Sequence, residues 1–243
     1  MKTIGILGYG EIGKAIEKVY KDFNYEIKIK DINRDDRFEG IEVLNICIPY
    51  SIKFVEIVSK EINLFKPKLT IIHSTTNIGT TLKIKELIPS ECYVVHSPVR
   101  GVHPELYEGI KTFVKYIGGD SKDKDIAKEH LKSLGIDTKV LKDSNTTELG
   151  KLLSTSYYGL VIAWHGEMKK MCDKYGVDFE EAITDFNKTY NKGYSTLGMN
   201  HVIRPVLYPP LNNKITGHCI ISNAKLLKKE LDSKFLKLIL DYK

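Results

Sequence analysis

The residues best suited to chemistry lie at the start of the chain. Residues 4–13 read Ile-Gly-Ile-Leu-Gly-Tyr-Gly-Glu-Ile-Gly, an apolar run that passes directly into Gly8-x-Gly10-x-x-Gly13. A strand that enters a helix through glycines at this spacing brings its backbone close to a pyrophosphate. Gly8 permits the tight turn, Gly10 removes the side chain that would block the ligand, and Gly13 lets helix and strand pack closely. Tyr9, Glu11 and Ile12 complete the loop. Its N–H groups and the positive end of the helix dipole then face the phosphates. Asp31 ends the second apolar run, where a carboxylate accepts hydrogen bonds from a ribose 2′-hydroxyl. The cofactor expected is therefore NAD. NADP stays as the lesser expectation: Arg34 is nearby and could meet a 2′-phosphate. A second group of polar residues, His96, Arg100 and His103, follows the fifth apolar run. With Arg204 further on, it is expected to surround an anionic substrate, arginine pairing in bidentate fashion with carboxylate or phosphate.

These residues need a sheet edge to carry them. Strands are predicted at 3–7, 26–31, 43–48, 69–73, 92–96 and 113–117, and helices near 11–22, 52–63, 80–87 and 122–134. Alternation with short connections implies a parallel sheet covered on both faces. Strands deliver their loops to its carboxyl edge, which sets Ile48-Pro49-Tyr50 along the adenosine side of the ligand. After residue 143 the pattern changes. Asp143-Ser-Asn-Thr-Thr-Glu148 is a capping start, and the chain then reads as helix to Tyr175, with Gly176 as the stop. A further helix is predicted over 178–190, an irregular segment over 191–218, and helix again over 221–243. The expected fold is α/β: a Rossmann-type, doubly wound parallel sheet over residues 1–142, followed by an all-helical domain over 143–243 with one long central helix.

Composition narrows the classes of function. The 243 residues carry 37 Lys and Arg against 31 Asp and Glu, a net charge of +6. The lysines are dispersed, which argues against a nucleic-acid surface and suits an anionic small molecule. Cys47, Cys92, Cys172 and Cys219 are far apart, with no CxxC pair, so neither a metal site nor a redox dithiol is expected. The apolar runs are shorter than a membrane span, and the chain begins directly with a strand and no signal peptide. The expectation is a soluble cytoplasmic protein. The aromatic face of the long helix, with Tyr157, Tyr158, Trp164 and His165, calls for a partner, and a homodimer is expected.

Five further segments, in order, carry a resemblance. Ser74-Thr-Thr-Asn-Ile-Gly-Thr-Thr81 is similar to an S-T-x-P-x-G-T-T turn, and Ser97-Pro-Val-Arg100 to S-P-E-R. Tyr116-Ile-Gly-Gly119 matches an I-G-G strand end. Glu148-Leu-Gly-Lys151 resembles E-x-x-K at the opening of a central helix, and Gly217-His-Cys-Ile-Ile-Ser-Asn223 resembles G-x-C-L-P-K-D. Together they resemble the nucleotide-sugar dehydrogenases, the UDP-glucose and GDP-mannose 6-dehydrogenase family, within the wider 6-phosphogluconate and 3-hydroxyisobutyrate dehydrogenase superfamily. On this reading the chain carries no counterpart of the family's third domain. The resemblance sets Ser74 and Thr75 on the cofactor side. It makes Lys151 the acid/base group, with Thr155 one helical turn on, and Cys219 the thiol nucleophile. It also shows departures: Val99 for an acid, Thr155 for Asn, Ser222 for Lys and Asn223 for Asp. Those changes point to a single hydride transfer on a small or nucleotide-linked anionic hydroxy or oxo substrate, rather than a four-electron oxidation. The alternatives are a group transferase holding S-adenosylmethionine at the glycine loop, and a non-catalytic nucleotide-binding protein.

Overall fold

A computed structural model describes residues 3–101 and 104–242. The chain divides into two compact units, Met1–Lys151 and Leu152–Lys243.

The first unit is built on near-continuous apolar runs. β1 (Thr3–Leu7) and β5 (Leu69–Ile72) are buried at every position, as strands covered on both faces must be. With β2 (Glu26–Asp31), β3 (Arg34–Asp35), β4 (Ile41–Ile46) and β6 (Tyr93–His96) they form a six-stranded sheet of order β3-β2-β1-β4-β5-β6. Every pairing is parallel except that of β3, which runs antiparallel to β2. One face packs Ile4, Ile6 and Val95 against Ile16, Val19 and Tyr20 of α1 (Glu11–Lys21) and Leu131 of α5 (Ser121–Ser133). The other packs Leu44, Ile46 and Ile72 against Phe54, Val58 and Ile62 of α2 (Phe54–Phe65) and Ile84 of α3 (Thr80–Glu86).

The chain leaves β1 to one side for β2 and later returns to its other side as β4. Loops after β1 and β4 therefore diverge, and the crevice at their carboxyl ends is where such sheets bind ligands. The run predicted at 113–117 does not join this sheet. Its strand, β7 (Lys115–Ile117), pairs in parallel with β8 (Thr138–Val140) and is tied to β6 by a bridge between His96 and Gly118. Before it comes α4 (Leu106–Thr112), a seven-residue helix too short to give a periodic signal.

The long helix is α6 (Ser144–Tyr175), of 32 residues. Asp143 opens it, its Oδ1 accepting from Thr146 N–H at 2.8 Å and from the Thr146 hydroxyl at 2.7 Å. It ends in a Schellman motif: Gly176 takes φ +65°, its N–H reaches Asp173 O, and the N–H of Val177 reaches Cys172 O at 2.9 Å.

After the break at Gly176–Asp178, the second unit resumes as a π-helical segment at Glu180–Asp185 that runs directly into α7 (Phe186–Thr196). Regular helix thus runs beyond residue 190, where an irregular segment was expected. Nothing in the sequence breaks it before Gly198, which takes φ +72°. The run expected to be helical over 221–243 is two helices, α8 (His218–Lys228) and α9 (Lys234–Asp241). Ser233 divides them, its hydroxyl capping Phe235 N–H at 3.2 Å. Gly159 and Gly166 let neighbours approach α6 closely: a Cβ there would collide with Ile220 and with the Tyr242 ring, respectively.

Candidate active site

The three glycines of the loop differ in what surrounds them. Gly8 takes φ +94°, and a Cβ on it would come within 2.8 Å of the Cys47 carbonyl carbon and the Ile48 nitrogen. A Cβ on Gly13 would overlap the carbonyl oxygen of Gly8. Both are glycines because the loop closes on itself and on the end of β4. Gly10 has no such reason. Its φ of −73° suits any residue, and a Cβ there would meet nothing within 4 Å. The space in front of it opens at the N-terminus of α1, where Gly10 as N-cap supplies no side-chain acceptor. Backbone donors and a dipole facing a side-chain-free space fit a pyrophosphate.

Around this loop, Tyr9 donates its hydroxyl to Glu17 Oε2 at 2.7 Å, and that bond holds its phenol above the ordinary range. The ammonium of Lys14 lies 5.8 Å and the guanidinium of Arg34 5.4 Å from the Tyr9 ring centre. Asp31 stands exposed at the end of β2, paired in register with Arg34. Pro49 follows β4, and Ser74 fixes that segment by donating its hydroxyl to Ile48 O at 2.6 Å. Thr75 next to it is half-buried. The carboxyl edge of the sheet thus brings together Gly8–Gly13, Asp31, Pro49, Ser74 and Thr75.

Glu148 joins the Ser-Thr turn to α6. It is fully buried, and its carboxylate accepts from the N–H of Gly79 at 2.7 Å, the N–H of Thr81 at 2.9 Å and the Thr81 hydroxyl at 2.7 Å. The first turn of α3 is capped from outside by this carboxylate. Burial raises its pKa, against the pull of the donors. Lys151, half-buried, follows one turn along the same helix, so the acid of the E-x-x-K pair positions the segment that carries the lysine. The motif alone assigns Glu148 no role; its spacing from Lys151 is the signal that points to one.

His96 is not an anion-binding side chain. It is buried, with Nε2 3.1 Å from Ser74 O and Nδ1 2.9 Å from the Thr147 hydroxyl. A carbonyl can only accept, so Nε2 carries the proton, and Nδ1 faces the Thr147 hydroxyl, whose one hydrogen is also directed at Ser144 O at 2.9 Å. Both ring nitrogens are used, and burial pushes the pKa down to about 3, leaving a neutral strut between β6 and α6. Lys115 lies close by, also buried, its Nζ donating to Ser97 O at 2.6 Å. Burial, with the like charge of Lys151 adding to it, lowers its pKa to about 7. Arg100 stacks over Phe113 and Tyr116, at 5.3 Å and 5.1 Å from their ring centres. His103 lies outside the described residues.

The remaining candidates belong to the second unit. Thr155 follows Lys151 by one turn of α6. Cys219 lies exposed in the first turn of α8, and Asn223, one turn on, is buried with no acceptor for its Nδ2 among the described residues. Arg204 covers the Tyr190 ring at 3.5 Å, its backbone bracketed by the Asn191 amide through two bonds of 2.8 Å. Among the described residues no group of three or more His, Cys, Asp or Glu side chains assembles as a metal site, and no helix is long and apolar enough to cross a membrane.

A crossover-parallel sheet with a glycine loop at its switch point defines a Rossmann-type dinucleotide-binding architecture. No family model matches the chain. The UDP-N-acetyl-D-mannosamine dehydrogenase of Methanococcus vannielii is 29% identical over 227 residues, which cover 87% of this chain and 50% of that protein. Among solved structures, the UDP-D-ManNAc dehydrogenase of Pyrococcus horikoshii aligns with 99% of this chain and 68% of its own, with TM-score 0.83 and 20% identity. The 3-hydroxyisobutyrate dehydrogenase of Mycobacterium tuberculosis aligns with TM-score 0.73 and 15% identity, over 99% of this chain and 92% of its own. The chain is thus similar in sequence to UDP-N-acetyl-D-mannosamine dehydrogenases and shares the fold of nucleotide-sugar and hydroxyacid dehydrogenases. It spans about half the length of the curated relatives it matches.

Proposed function

We propose that the chain is an NAD-dependent oxidoreductase that carries out a single hydride transfer on a small or nucleotide-linked anionic hydroxy or oxo substrate. The observation that carries this reading is Gly10: an open, side-chain-free position at a helix N-terminus, in a chain whose reported relatives are dehydrogenases. Those relatives favour hydride transfer over the group-transferase alternative. When bound, the dinucleotide supplies a nicotinamide ring that accepts or returns a hydride. The chain's own residues do the rest. Gly8–Gly13 cradle the pyrophosphate, Asp31 receives the ribose hydroxyls, and Pro49, Ser74 and Thr75 shape the cleft wall. Lys151 moves the substrate's hydroxyl proton at Nζ, with Thr155 beside it on the helix. Arg100, His103 and Arg204 are the candidates for the anionic group.

Cys219 has an exposed thiol, but Val99 and Asn223 offer no acid or base to support thioester chemistry. The reaction proposed therefore stops after one hydride. UDP-N-acetyl-D-mannosamine, named for the relatives, is the first substrate to try. We propose a homodimer as well. Support comes from the second unit, where Trp164 and Phe235 stand 50% and 66% exposed beside an apolar groove. Buried thiols at Cys47, Cys92 and Cys172, with no disulfide, suit a cytoplasmic setting.

The test is calorimetric. The protein is expected to bind NADH at about micromolar Kd, and Gly10→Val to weaken that by at least about a hundredfold while melting within a few degrees of the parent. Failure of both NADH and NADPH to bind would overturn the reading.

A further inference from the structure

The ribose edge of the glycine loop holds a charge arrangement that the dinucleotide reading alone does not explain. β2 ends at Asp31, reverses through Ile32-Asn33, and returns as β3, with Asp31 opposite Arg34. Arg34 reaches back over the Tyr9 ring at 5.4 Å, so its guanidinium lies beside the loop. There an arginine would ordinarily take a ribose 2′-phosphate in its fork. That fork is engaged already. Arg34 Nε donates to Asp36 Oδ1 at 2.9 Å and to Oδ2 at 3.0 Å, and Nη2 donates to Oδ2 at 2.7 Å. Asp36 is itself pinned to β2. Its Oδ2 accepts the Ile29 N–H at 3.0 Å, and its own N–H donates to Ile29 O at 3.0 Å.

We infer that Asp36 sets the dinucleotide selectivity of this site, by occupying Arg34 so that a ribose with a 2′-hydroxyl is accepted and one with a 2′-phosphate is refused. This rests on the dinucleotide reading above. An exposed ion pair is weak in itself, and Arg34 and Asp36 are 45% and 29% exposed. The refusal draws its strength from what a phosphate would meet. To capture Arg34 it must strand the Asp36 carboxylate, which stays bonded to the β2 backbone, and it must do so next to Asp31. Residues 31–37 carry Asp31, Asp35 and Asp36 against Arg34 and Arg37, so the hairpin repels a dianion overall. Lys14, whose ammonium lies 5.8 Å from the Tyr9 ring centre, is a competing explanation for any residual phosphate affinity.

The inference is tested by titrating NADH and NADPH into the full chain. The wild type is expected to bind NADH at least about tenfold tighter than NADPH. Asp36→Asn keeps an acceptor for Ile29 N–H while releasing the arginine. It should cut that ratio by at least about tenfold through a gain for NADPH. Arg34→Met added to Asp36→Asn should abolish the gain, which separates Arg34 from Lys14. Equal wild-type affinities, an unchanged NADPH affinity in Asp36→Asn, or a gain that survives Arg34→Met would each overturn the assignment. Binding of neither dinucleotide by the wild type would instead overturn the dinucleotide reading, and the selectivity role with it.

Discussion

Lys115 is a cation enclosed by groups that cannot neutralise it. Its neighbours are the Ser97 and Pro98 carbonyls, the buried thiol of Cys47, and the like charge of Lys151. Burial brings its pKa from 10.5 to about 7. The folded value lies below the unfolded one, so the unfolded chain takes up the proton first as pH falls. The stability this group contributes is therefore complete above pH 10.5 and declines as pH falls toward 7. Lys115→Met should remove that slope: urea midpoints of wild type and variant should diverge in favour of the wild type as pH rises from 7 to 10. Parallel pH profiles would show that Lys115 stays charged in the fold. His96 illustrates at the same scale what a sequence withholds. A histidine at a strand end looks like a ligand. Only the fold brings Ser74 O and the Thr147 hydroxyl to its two nitrogens, from residues 22 and 51 positions away.

Among the elements, the β1–loop–α1 unit was legible because its glycines are local. Each task is settled within a few residues, apart from the contact of Gly8 with the end of β4. The long helix was legible for a similar reason: an Asp cap, an uninterrupted run and a glycine stop are all printed in order. In the first unit, what was missed falls into two physical kinds. β3, β8 and α4 have two, three and seven residues, too few for any period to register. The partition of β7 into a separate small sheet depends on pairing with β8, a long-range choice that no local pattern encodes. The glycine loop also yields a contrast between positions. Gly13→Ala should destabilise the first unit by about 3 kcal/mol or more, since its methyl group must displace backbone. Gly10→Ala should change stability by less than about 1 kcal/mol, its methyl group entering open space. Chemical denaturation of the two variants side by side decides this; equal losses would mean that the loop packs differently.

At the scale of the whole molecule, the exposed aromatic residues of the second unit bear on assembly. Tyr157, Tyr158, Trp164 and Tyr175 are each at least half exposed along α6. A helix face of this kind is normally covered by a partner. Light scattering coupled to gel filtration is expected to give twice the mass of the 27.7 kDa chain. Trp164→Glu combined with Phe235→Glu should return it to one chain without loss of helix content by circular dichroism. A monomeric wild type at micromolar concentration would remove the homodimer from the proposal.

Gly10 carries one more consequence, for the history of the chain. Most residues of a fold are held in place by their neighbours, so their identity says little about present use. Gly10 has no neighbour that requires it. Under mutation alone it would drift to alanine or serine at little cost, and helix capping would even favour serine there. A lineage that had abandoned its ligand would be expected to lose this glycine while keeping Gly8 and Gly13. Gly10 is therefore the position of the loop whose identity reports on the ligand and not on the packing of the fold.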